Sequence, residues 1–126
     1  MLESLPKILI VHLKRFKVQN YNQKKLNYAI NLPYEINLDF LLKEKEKYKD
    51  EVLYNLFAVV IHGGSGNEYG HYYCLVKVSG KWVKFDDHLV ELSEKQDLSE
   101  YFGNPDEDYE YNTNYCAYVL FYESAE

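Results

Sequence analysis

Residues 70–87 read "GHYYCLVKVSGKWVKFDD", two β-rich runs with only Ser79 and Gly80 between them. A two-residue link of that composition suits one shape, a tight antiparallel hairpin. With Ser79-Gly80 as the turn, Val78 faces Lys81, Tyr73 faces Asp86, Tyr72 faces Asp87 and His71 faces His88. Directly opposed residues share a sheet face, and so do residues two apart on one strand. His71 and Asp86 then lie on one face as diagonal neighbours, with Cβ atoms roughly 7 Å apart. Asp87 falls on the other face. A one-residue slip would exchange the two aspartates.

An imidazole beside a carboxylate has a chemical use. The carboxylate fixes the tautomer and leaves the second ring nitrogen as a base. The plainer reading is a hydrogen-bonded pair at a sheet edge. What precedes His71 favours the chemical one: Gly63, Gly64, Ser65 and Gly66 make mobile backbone, which suits a gated cleft. No Gly-Lys-Ser/Thr follows these glycines, so a phosphate loop is a weak reading.

A base needs a nucleophile, and none is evident in the chain. Cys74 is three positions from His71 and so points to the opposite face. Cys116 sits in an apolar strand and reads as a small buried hydrophobe. Ser65 lacks the setting of a nucleophile elbow. The histidines at 12, 62, 71 and 88 and the two cysteines show no paired ligand spacing, so no metal site is expected. His12 and His62 read as core or hydrogen-bonded residues, and His88 as a surface one.

The rest of the chain is also mainly strand. "PKILIVHLKRF" is apolar on both alternating faces and predicts a central strand covered on both sides. Residues 18–40 break into short strands at Asn and Pro. "LLKEKEKYKDE" is a charge run, read as a solvated loop with a helical turn. "YNLFAVVIH" predicts a second buried strand, "GGSGNEYG" a loop, "NPDEDYEYNTN" an acidic loop and "YCAYVLFYE" a final strand. One helix is expected near 93–102. Ser93 would be its N-cap, Gln96 would take the capping-box position, and Gly103 would stop it, with Leu98, Tyr101 and Phe102 toward the core. The fold class is therefore α+β, mainly antiparallel sheet, in one domain.

Composition narrows the partners. The 126 residues carry a net charge of −6, which argues against nucleic acid and favours neutral or basic partners. Fourteen Tyr fit strands, and also surfaces that hold another protein. No apolar run is long enough to span a bilayer, and the N-terminus lacks a signal-peptide layout. The opening Met-Leu-Glu-Ser fits a start placed on an internal segment. Two cysteines make no disulfide framework, so an intracellular setting, cytoplasm or nucleus, is expected.

Three motifs in order resemble the ubiquitin-specific proteases, which are papain-like cysteine deubiquitinases. They are "LPKILIVHLKRF", then "LFAVVIHGGSGNEYGHYYCLVK" with "KWVKFDD", then "YCAYVLFYE". Together they cover essentially the whole chain. "HGGSGNEYGHYYCLVK" and "YVLFYES" look most like the small members activated by WD40-repeat proteins. The resemblance implies that residues 1–126 form the C-terminal, palm-side portion of the catalytic domain. It implies His71 as general base, Asp86 as the acid that orients it, and Asp87 as a neighbouring acid near the oxyanion region. It implies that Gly63, Gly64, Ser65, Gly66 and Gly70, in a loop that shifts as ubiquitin's tail enters, and Tyr72 beside His71, face the substrate. The substrate would be ubiquitin on a protein, cut after its terminal glycine, with no cofactor. Leu75 stands where many members carry Tyr. The family's cysteine box and zinc-binding fingers are absent, so this chain is expected to be inactive alone. A non-catalytic ubiquitin-binding scaffold is the competing expectation, against which the retention of both His71 and Asp86 counts. Another cysteine hydrolase using the same pair is a third.

Overall fold

The computed structural model describes residues 3–19, 22–25, 30–42, 52–64, 70–94, 96–102 and 115–125. Their strands are β1 (Ile8–His12), β2 (Phe16–Gln19), β3 (Asn22–Lys25), β4 (Glu35–Asn37), β5 (Leu53–Gly64), β6 (Gly70–Val78), β7 (Lys81–Asp86), β8 (Leu89–Leu92) and β9 (Cys116–Ser124). Seven of them form one antiparallel sheet in the order β1-β9-β5-β6-β7-β8, with β4 on the first residues of β5. β2 and β3 make a separate hairpin. The charge run from Lys43 to Glu51 and the acidic segment from Asn104 to Asn114 lie outside the described residues.

Alternation sets one buried face. Tyr54, Leu56, Val59 and Ile61 of β5, Tyr73 and Leu75 of β6, Trp82 of β7, and Ala117, Leu120 and Tyr122 of β9 all turn inward. Leu32, Leu38, Leu98 and Tyr101 close over them from the connecting segments. Hydroxyls fasten that cover. Tyr122 donates to Pro33 O at 2.7 Å, Tyr54 donates to Pro6 O, and the Leu98 N–H donates to the Tyr34 hydroxyl at 2.8 Å. Arg15 is 1% exposed, and its Nε donates to Ala117 O at 2.8 Å and an Nη to Phe102 O at 3.2 Å. A guanidinium can be buried only with such partners, and bonds from a charged donor stabilise by about 1.5–3 kcal/mol each. Arg15 thus ties the segment after β1 to β9 and to the end of the 96–102 segment.

Three expectations need correction. β1 is an edge strand that pairs only with β9 among the described residues. Leu9 and Val11 face the core, while Ile8 and Ile10 are 41% and 60% exposed. Apolar residues on both faces do not specify how many neighbours a strand will have. His12, also exposed, meets Tyr118 edge-on at 4.5 Å rather than lying in the core; His62 is fully buried, as expected.

The ten-residue helix is replaced by one 3-10 turn, Ser99–Tyr101. The reason is Gln96. Its Oε1 accepts from the Trp82 N–H at 2.8 Å, and its Nε2 donates to Trp82 O at 3.2 Å and Ser93 O at 2.8 Å. The amide continues the ladder of β7 where β8 ends, so it is not available as a helix cap. Leu98 and Tyr101 still reach the core, with Phe102 packed against it.

Candidate active site

The hairpin register is the expected one. Val78 pairs with Lys81, Leu75 with Lys84 and Cys74 with Phe85. The turn places Ser79 at φ 50° and Gly80 at φ 81°. Positive φ at both positions is the type I′ pattern, whose twist matches that of the strands. Carried to its open end, this register brings His71 Nε2 to 2.6 Å from Asp86 Oδ1. The His71 side chain is 43% exposed and that of Asp86 21%. With the carboxylate ionised, Nε2 carries the shared hydrogen, and Nδ1 keeps its lone pair for a proton from elsewhere.

Asp87 departs from the alternation. Its φ of 52° puts it in the turn between β7 and β8, where strand parity no longer applies. Its carboxylate was expected to point away. Instead, single donor atoms of His71, Asp86 and Asp87 lie within 4.8 Å of one another. This is the one such His/Cys/Asp/Glu cluster among the described residues. A tetrahedral cation held by both Nε2 and Oδ1 would have to spread them from 2.6 Å, because ligands about 2 Å from such an ion sit roughly 3.3 Å apart.

The glycines are fixed by contact. Gly63 and Gly64 belong to β5 and Gly70 to β6, with Gly63 opposite His71 and Gly64 opposite Gly70. The hairpin therefore extends further toward the loop than the sequence suggested, and Ser65 and Gly66 lie outside the described residues. A Cβ on Gly63 would fall 2.2 Å from the Tyr115 ring. One on Gly70 would fall 2.3 Å from His62 Nε2 and 2.7 Å from Gly63 O. Tyr72 is on the face opposite His71, 41% exposed, its ring 4.6 Å from that of His62.

Beneath His71 lies an aromatic floor. Tyr73 is 6.2 Å from the His71 ring, 5.6 Å from Tyr115 and 6.2 Å from Tyr101 between centroids. The Tyr73 hydroxyl donates to that of Tyr101 at 3.2 Å. Burial raises the pKa of both phenols, so they stay neutral hydrogen-bonding groups. Lys84 sets its Nζ 4.4 Å from the Tyr73 centroid. The register alone places Tyr73 and Lys84 on the His71 face, whereas no local signal brings Tyr101 and Tyr115 there. Neither thiol joins the group. Cys74 faces the other side, with its pKa raised by burial, and Cys116 is 2% exposed opposite His62.

A family model described as ubiquitin carboxyl-terminal hydrolase matches residues 1–122. Ubiquitin carboxyl-terminal hydrolase 4 of Arabidopsis thaliana is 44% identical over 121 residues, which are 94% of this chain and 32% of that protein. Ubiquitin carboxyl-terminal hydrolase 12 of Salmo salar is 39% identical over 124 residues, 97% of this chain and 32% of that protein. The chain thus spans about a third of the length of these curated relatives. Among solved structures, a chain of the SAGA Ubp8/Sgf11/Sus1/Sgf73 DUB module superimposes with a TM-score of 0.72 at 29% identity, covering 98% of this chain and 25% of that one. On a family match that runs from residue 1 to residue 122, this chain belongs to the ubiquitin carboxyl-terminal hydrolase family.

Proposed function

We propose that the chain supplies the histidine and the aspartate of a thiol-dependent deubiquitinase. The nucleophilic cysteine would come from outside these 126 residues. His71 Nδ1 takes the thiol proton, and the thiolate adds to the carbonyl carbon of ubiquitin's terminal glycine. The proton then passes to the departing lysine amine, leaving a thioester on the cysteine. Water, deprotonated by His71, cleaves the thioester and returns the proton to the sulfur. Asp86 holds the ring through Nε2 and favours the imidazolium formed in each half-reaction. Asp87 is near enough to add its negative field.

The carrying observation is the 2.6 Å Nε2–Oδ1 contact within a family match. It orients the imidazole with Nδ1 free of Asp86. The placement of both thiols supports a nucleophile from elsewhere: Cys74 lies about 10 Å along the strand from His71 and on its far face.

The test uses the longer parent enzyme, with hydrolysis of a ubiquitin C-terminal coumarin amide alongside equilibrium ubiquitin binding. His71→Ala should abolish nearly all turnover with binding retained. Asp86→Ala should lose on the order of 10²- to 10⁴-fold, since it selects tautomer and orientation without moving the proton itself. Near-normal turnover by His71→Ala would remove the assignment. The 126-residue chain alone should be inactive; thiol-dependent turnover lost on Cys74→Ala would overturn the outside nucleophile. A WD40-repeat activator and an intracellular site belong to the same proposal. The first is supported by the motifs at 62–77 and 118–124, the second by the absence of a disulfide framework. Co-purification of such a protein with the parent enzyme tests the first.

A further inference from the structure

β8 is the last strand of the sheet, and all four of its side chains are exposed. Asp87-His88 closes β7 onto it as a two-residue turn, with Asp86 opposite Leu89. In such a hairpin the pair next to the turn exchanges both backbone hydrogen bonds, and alternate pairs repeat the pattern. Leu89 and Glu91 therefore spend their N–H and C=O groups on β7. The Ser93 N–H keeps this period, donating to Trp82 O at 3.0 Å. Val90 and Leu92 are left with two N–H and two C=O groups aimed out of the sheet. Among the described residues no strand pairs with them.

Soluble proteins usually blunt such an edge with Lys, Pro or a bulge. Leu-Val-Glu-Leu is short and carries one charge, Glu91, but has no Lys, Pro or bulge, and Leu89, Val90 and Leu92 are 47%, 59% and 57% exposed. The charge nearby is mainly acidic, although Lys95 follows Glu94 in the sequence. Residues 86–94 include Asp86, Asp87, Glu91 and Glu94 and no Lys or Arg. Asp87, Glu91 and Glu94 are exposed. Lys84, across from Glu91, has its Nζ over the Tyr73 ring.

We infer that the open edge of β8 receives an extended, lysine- and arginine-rich segment of the ubiquitin-carrying protein as an added antiparallel strand. Its backbone pairs with Val90 and Leu92, its apolar side chains lie on theirs, and its basic side chains meet Asp87, Glu91 and Glu94. The location fits that role. An added strand would lie roughly 10 Å from β7, two strand spacings from the strand that carries Asp86. A few residues of the carrier would span from there to its modified lysine. The nature of the carrier rests on the proposed deubiquitinase function; the edge binding does not.

The test separates the two. A fluorescein-labelled peptide of alternating Lys and Val, nine residues long, is titrated against the 126-residue chain by fluorescence polarisation. An otherwise identical Glu/Val peptide, and a Lys/Val peptide N-methylated at alternate residues, serve as controls. The Lys/Val peptide should bind, with each control weakened tenfold or more. Val90→Pro removes one outward N–H and no ladder bond, and should weaken binding tenfold; Val90→Thr, which keeps that N–H and one methyl, should weaken it far less. Equal binding of the N-methylated peptide would reduce the interaction to charge alone and overturn the added strand, whether or not Val90→Pro folds. No binding of the Lys/Val peptide would overturn it as well. In the longer enzyme, Val90→Pro should raise KM for ubiquitin attached to a basic protein and leave coumarin-amide hydrolysis unaltered. A normal KM beside lost peptide binding would remove the carrier as occupant. Loss of coumarin hydrolysis in His71→Ala bears on the catalytic reading only.

Discussion

Gln96→Ala should destabilise the fold by about 2 kcal/mol, although Gln96 itself is exposed. The amide makes three hydrogen bonds to backbone: one from the Trp82 N–H, one to Trp82 O and one to Ser93 O. Trp82 O keeps the Ser93 N–H, so the Trp82 N–H and Ser93 O lose most. A typical net value is about 1 ± 0.5 kcal/mol per bond, which gives about 2 kcal/mol for two. Gln96→Glu separates the roles. It retains an acceptor for the Trp82 N–H but sets a carboxylate against two carbonyl oxygens. At neutral pH it should be no better than Ala. That carboxyl would have a folded-state pKa above its unfolded value. Its stability is then fullest below about pH 4, where the protonated group can donate, and falls as pH rises. Trp82 is the chain's one tryptophan and is 3% exposed, so its emission reports unfolding at this very place. In urea, with a slope of about 1.5 kcal/mol/M, the midpoint for Ala should drop by about 1.3 M. A loss below about 0.5 kcal/mol would mean that water replaces the amide fully. A Glu variant as stable as wild type at pH 7 would mean that the two donated bonds carry nothing.

Gly63→Ala should cost about 1–3 kcal/mol by overpacking, because its Cβ would fall 2.2 Å from Tyr115; a smaller drop in thermal midpoint when Tyr115→Ala is added would identify the ring as the obstacle. Alkali should destabilise the chain: burial pushes Tyr122 up to about 12 and raises Tyr73 too, so stability is complete below the unfolded phenol value of about 10 and falls as pH passes it. Tyr122→Phe should remove part of that slope in pH-dependent melts. Cys74, its pKa raised by burial, should react with a thiol reagent at pH 8 more slowly than free cysteine, and Cys116 more slowly still; fast labelling of either would contradict its placement.

What could be read in advance was what two independent local rules fixed together. At Ser79-Gly80, turn chemistry and side-chain alternation give one register, and His71 meets Asp86 as that register requires. The same alternation failed for Asp87, one residue later, because a positive φ takes the residue out of the pleat. Ser93 and Gln96 carried a genuine helix-start pattern. It was overruled by Trp82, a partner that becomes adjacent only once β7 and β8 are paired. The glycines were legible as unusual but not as necessary. At Gly63 and Gly70 the need comes from Tyr115 and His62, which the sheet brings against them. Ile8, Ile10 and His12 looked like a buried face because sequence reports what could be covered, not whether a cover is present.

β9 sits between β1 and β5, and Arg15 reaches Ala117 across 102 positions of chain. The run from β5 through β8 is a meander of successive hairpins and can assemble from neighbours alone. β1 has no such opportunity. Its partner follows β8 in the chain, so during synthesis at about 5–20 residues per second it waits for several seconds with Leu9 and Val11, which pack against the core once β9 docks, still in water. Distant pairings form slowly, because the closure entropy must be met before any contact offsets it. The docking of β9 should therefore be the late step of folding, arriving with the burial of the Arg15 guanidinium. Before it, the β1 segment is an adhesive strand, and the charges beside it, Lys7, Lys14 and Arg15, are what oppose its association with other chains.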